Sequence, residues 1–165
     1  MRKIYYILPL LFMFPAWLMG QNSATASFTA SVTVIEPIEV KTTSHMNFAN
    51  IDAREGGTVI LHPDNTREAI GSVNLESNSE VSAAVFEVNG QNGYSYDIAL
   101  PESSYILTNG SENITIKDFQ SDFSSGNFSG SSQNVRVGAS IYINPDQEPG
   151  VYTSQTLLQV TVNYN

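Results

Sequence analysis

Between Val151 and Asn165 polar and apolar residues alternate with a period of two, and nothing after Gly20 repeats with the 3.6-residue period of a helix. Thr156, Leu158, Val160, Val162 and Tyr164 fall on one face of this stretch, and Gln159, Thr161 and Asn163 on the other. A chain of this kind buries its apolar side chains by pairing strands and stacking the sheets, so an all-β fold is expected. Its last strand must lie against something, because unpaired backbone groups along an edge cost free energy or recruit another chain. Towards the other end, Phe28, Ala30, Val32 and Val34 alternate with Thr29, Ser31 and Thr33 and offer a matching strand.

Short strands separated by turn signals fill the interval. Pro37 breaks the first pattern, and Ile38 and Val40 resume it in a changed setting. Met46 and Phe48 flank Asn47 in a short strand, Thr58 to Leu61 places Val59 and Leu61 on one face, and Ala69 to Leu75 pairs Val73 with Leu75. Val81 to Val88 is dense enough in apolar residues to suit a strand covered on both sides. The turn Asn89 to Gly93 then predicts a hairpin into Tyr94, Tyr96, Ile98 and Leu100. Shorter strands, Tyr105–Leu107 and Ile114–Ile116, surround Asn109-Gly110. Asp118 to Gln133 reads as a loop held to the domain by Phe119, Phe123 and Phe128. Val135, Val137, Ala139, Ile141 and Ile143 predict one long buried strand. The spacing points to an immunoglobulin-like β-sandwich.

The first twenty residues have the layout of a secretory signal, with Arg2 and Lys3 ahead of an apolar run from Ile4 to Met19. Pro9 and Pro15 interrupt that run, which is short for a membrane span, so removal after Gly20, or as late as Ala26, is expected. Residues 21–165 then form a single domain, exported to the periplasm, cell surface or medium, with no membrane span. Sixteen acidic residues face seven basic ones for a net charge of −9, and loss of Arg2 and Lys3 leaves −11. A surface of that sign repels nucleic acid. Cysteine is absent, so disulfides and thiolate metal sites are excluded and stability rests on the apolar core.

Chemistry finds no foothold. His45 and His62 sit in turn-like contexts without companions, and carboxylate pairs such as Asp52 with Glu55 or Asp146 with Glu148 lack the ordered oxygen run of a calcium loop. No nucleophile elbow, phosphate loop or zinc-protease motif occurs. The expectation is a protein that is not an enzyme and needs no cofactor or metal.

Three segments in order, Ser27 to Val34, Met46 to Asn50, and Pro149 to Thr153 leading into Val160 to Tyr164, resemble bacterial secreted proteins of domain of unknown function 4402. That group is similar to spore coat protein U and to archaic chaperone-usher pilin subunits. The resemblance implies a sandwich lacking one strand, whose open groove takes the N-terminal segment of the next subunit by strand addition. Phe28, Ala30, Val32 and Val34 would then be the donor knobs. Leu158, Val160 and Val162 would form a groove wall that pairs with a periplasmic chaperone before self-association. A self-complete monomeric sandwich binding carbohydrate or protein through its loops is the other reading.

Overall fold

The computed structural model describes residues 23–53, 55–77 and 79–165. The expected signal segment, residues 1–20, lies outside them. The chain divides into two units, Met1–Thr33 and Val34–Asn165. Described residues contain strands and no helix, as the period-two alternation requires. No helix among them is long and apolar enough to cross a membrane.

Among its described residues the second unit carries thirteen strands: β1 Glu39–Ser44, β2 Ile51–Asp52, β3 Gly57–Leu61, β4 Arg67–Gly71, β5 Asn74–Leu75, β6 Ala84–Asn89, β7 Ser95–Ala99, β8 Tyr105–Thr108, β9 Asn113–Ser121, β10 Ser125–Asn127, β11 Ser132–Ile143, β12 Thr153–Ser154 and β13 Thr161–Tyr164. Its main sheet runs β1-β6-β11-β9-β8-β12, a smaller one runs β10-β7-β13, and β2 pairs β5. Every pairing is antiparallel.

β11 organises the domain. Along one edge its first half, Ser132 to Val137, pairs β6, and its second half, Ala139 to Ile143, pairs β3. β9 lies along the other edge, with a register shift between Gly138 and Ser140. Val135, Val137, Ala139, Ile141 and Ile143 are all buried, in agreement with their alternation. The β8–β9 hairpin forms around Asn109-Gly110 as expected. The stretch Ala69 to Leu75 is broken instead of continuous, because Gly71 adopts φ +97°, a left-handed conformation that ends β4 before β5 begins.

The hairpin expected across Asn89 to Gly93 is absent. β6 pairs β1 and β11, while β7 pairs β10 and β13, so this turn carries the chain from one sheet to the other. Asn-Gly dictates a reversal of direction but does not choose a partner. Longer ladders with β11 and β13 take the backbone groups that a hairpin would have used.

Two apolar clusters form the core. One gathers Val59, Val73, Ile114, Ile116, Ala139, Ile141 and Ile143, and the other Val88, Tyr96, Phe128 and Val135. In the second, the Tyr96 ring stacks at 4.2 Å on Phe128 and 4.7 Å on Phe123, so these phenylalanines pack onto the domain. The stretch expected as a loop from Asp118 to Gln133 instead holds the end of β9, all of β10 and the start of β11. Tyr96 is fully buried, and its hydroxyl has no hydrogen-bond partner among the described residues. Burial, and then the charge of Asp122, raise its pKa above the ordinary value of 10.0. The unfolded chain therefore releases this proton first. The stability tied to it is whole below pH 10 and is lost as pH climbs towards the folded-state pKa. Tyr96→Phe removes an unpaired buried hydroxyl and is expected to stabilise the domain by about 1 kcal/mol. Thermal melts at pH 7 and above pH 10 check this, with the variant losing less stability on the alkaline side.

Candidate strand-acceptor groove

The first cluster is open on one side. Met46, Phe48, Leu107, Phe119, Tyr152 and Leu158 pack against it but are only partly buried. Between two stretches of irregular chain lies a groove of about 1360 Å³. Ile114, Ile116, Val137, Ile141 and Ile143 floor it and are themselves buried, so the open apolar surface belongs to the partly buried side chains along the groove.

One wall is residues 45–53. The expected strand at Met46 and Phe48 is reduced to a bridge from Asn47 to Ser82 and the two-residue β2. Ala49 sits at φ +58°, an uncommon conformation for a residue with a Cβ. The Asn47 side chain supports it, accepting the Ala49 N–H at 2.9 Å and donating to the Glu80 carbonyl at 3.0 Å.

The other wall is the C-terminal stretch from Asp146 to Val160. Its expected continuous strand is interrupted: Thr153–Ser154 pairs β8, Thr161–Tyr164 pairs β7, and residues 155–160 between them belong to no ladder. Alternation survives in the burial, with Leu158, Val160, Val162 and Tyr164 half-buried and the residues between them exposed. Leu158 and Val160 line the groove. Val162 falls beyond it and packs on the second cluster. Acidic Asp52, Glu80, Asp146 and Glu148 stand among the lining residues, as does His45. His62 lies in the β3–β4 turn, 3.7 Å from Glu68.

The expected donor segment forms no strand. Phe28 is 90% exposed, Val32 and Val34 are each 88% exposed, and Ala30 is exposed too. An alternating segment satisfies its backbone as a strand only when a partner is present. Just after it, the Tyr164 hydroxyl donates to the Glu36 carbonyl at 2.9 Å and accepts the Gln91 N–H at 2.7 Å, fixing where the chain enters the domain. Arg67, which pattern alone did not single out, donates to three backbone carbonyls at the 45–53 wall and beside it. The only sequence hint of such a role is a lone cation beside a turn.

These features define an all-β, sandwich-like domain with an open apolar groove. Residues 38–164 match the family described as Domain of unknown function (DUF4402), and the chain belongs to that family. No curated protein matches it.

Proposed function

We propose that this chain is an exported, non-enzymatic structural subunit that assembles with further copies of itself by β-strand addition. Phe28, Ala30, Val32 and Val34 of one copy fill the groove of the next. The observation that carries this reading is the groove, where partly buried Met46, Phe48 and Leu158 leave apolar surface open beside a backbone stretch, residues 155–160, that belongs to no ladder.

An extended segment supplies two things, backbone partners for 155–160 and apolar cover for the half-buried side chains along the groove. The chain's own segment is suited to the task. Phe28 to Val34 spans about 20 Å when extended and presents its apolar side chains on one face. Residues 23–35 carry no charged side chain, so they enter an opening rimmed by Asp52, Glu80, Asp146 and Glu148 without repulsion. The resemblance to pilin subunits supports the same reading, and adds a periplasmic chaperone that engages residues 155–160 before a second copy does.

Size-exclusion chromatography with light scattering tests this on the exported form. A ladder of oligomers is expected, collapsing to monomers when the protein is refolded with excess peptide of sequence Ser27 to Ile35. A monomer at high concentration that melts cooperatively and ignores the peptide overturns the proposal, and leaves a self-complete binding module.

A further inference from the structure

An open apolar groove works against its own walls. Met46, Phe48 and Leu158 are only partly buried, and each would remove more of its own apolar surface from water if the two walls met over the floor. Neither wall is held back by a continuous ladder along the opening. Something else keeps them apart.

On one side it is Arg67. From β4 its guanidinium donates through Nη1 to the carbonyls of Phe48 at 2.6 Å and Asn50 at 3.2 Å, and through Nη2 to that of Glu76 at 2.7 Å. Phe48 and Asn50 bracket the strained Ala49, so the fork grips the irregular part of the wall from a strand. On the other side it is Tyr152. Its hydroxyl donates to the Glu148 carbonyl at 2.7 Å and accepts from Asn109 Nδ2 and Gln147 Nε2, each at 3.1 Å. Asn109 is itself fixed in the β8–β9 turn, where its Oδ1 accepts the Ser111 and Glu112 N–H groups at 2.9 and 2.7 Å. Arg67 thus ties its wall to β4, while Tyr152 gathers Gln147 and Glu148 of its own wall and ties them to the β8–β9 turn through Asn109.

We infer that Arg67 and Tyr152 are struts that hold the groove open for its occupant. They act through the polar groups that hold the walls, so they are positioning residues; the Tyr152 ring lines the groove, and Tyr152→Phe leaves that ring in place. The identity of the occupant rests on the strand-addition reading, whereas the opening itself does not. Planar geometry matters at Arg67, because a lysine ammonium cannot reproduce the fork that spans three carbonyls. Lysine there should fail as methionine does.

The test uses Arg67→Lys, Arg67→Met and Tyr152→Phe in a Val32→Asp background, in which the arm cannot fill a neighbouring groove. Three quantities are measured: fluorescence of Nile red, a neutral apolar dye, affinity for the Ser27 to Ile35 peptide, and melting temperature. Dye binding is expected to fall at least fivefold and peptide affinity at least tenfold, while melting temperature holds or rises as the walls close. Variants that bind dye and peptide as the parent does overturn the inference. So do variants that lose binding and melting temperature together, since the hubs would then merely hold the fold. A parent that takes up dye, loses it on strut removal, yet never binds the peptide sustains the struts and sinks strand addition instead.

Discussion

Val32→Asp is expected to abolish assembly while leaving a folded, cooperatively melting monomer. Val32 is 88% exposed, so a carboxylate there costs the separate subunit nothing beyond the few tenths of a kcal/mol typical of surface substitutions. In the groove of a second copy the same side chain would meet a floor of isoleucine and valine. Losing a buried valine removes about 1.5 to 3 kcal/mol, and placing a carboxylate in apolar surroundings adds several more unless it takes up a proton. Affinity should drop by a factor of about a thousand or greater. Thr33→Asp is the control. Residue 33 points to the opposite face of an extended strand, so its carboxylate stays in water and oligomers should persist. Chromatography of the two variants side by side decides the matter: equal oligomer content in both, or equal loss, would show that no face of this segment is specifically buried.

The readable parts of this fold were those governed by local period. Val135 to Ile143 alternates because alternate residues of β11 enter the core, and the β8–β9 hairpin follows from a turn whose strands happen to be each other's partners. Partner choice is not local. Asn89 to Gly93 turns the chain as its residues require, but β6 goes to β11 and β7 to β13, a choice made by segments more than forty residues away. The exposed Phe28 to Val34 segment states the same rule in reverse, as strand propensity without a ladder gives no strand. Of the groove, Leu158 and Val160 were legible from alternation and resemblance, whereas the 45–53 wall was not. Its shape comes from Arg67 and Asn47 bonding to backbone carbonyls, a tertiary arrangement that leaves no periodic trace.

Gly138→Ala is expected to be the most destabilising single methyl in the domain, lowering stability by about 3 kcal/mol or more. An added Cβ would lie 2.0 Å from the Leu61 carbonyl oxygen and 2.9 Å from the carbonyl carbons of Leu61 and His62. All three are backbone atoms, so no side chain can swing aside to admit the methyl. Relief requires β3 to withdraw from β11, and Leu61, 1% exposed and paired with Ala139, would leave the core with it. Gly138 also sits where β11 changes partner from β6 to β3 and where the register against β9 shifts. The distortion therefore spreads into Val137 and Ile141 on the groove floor. Melting temperature should fall by roughly 10 °C, since 1 kcal/mol corresponds to about 3 to 4 °C in a domain of this size, and peptide binding should fall with it. That coupled loss is the opposite of the pattern expected for Arg67 and Tyr152, where binding falls and melting does not. Differential scanning calorimetry of Gly138→Ala settles the packing: a midpoint within 2 °C of the parent would mean that β3 and β11 do not approach this closely at Gly138.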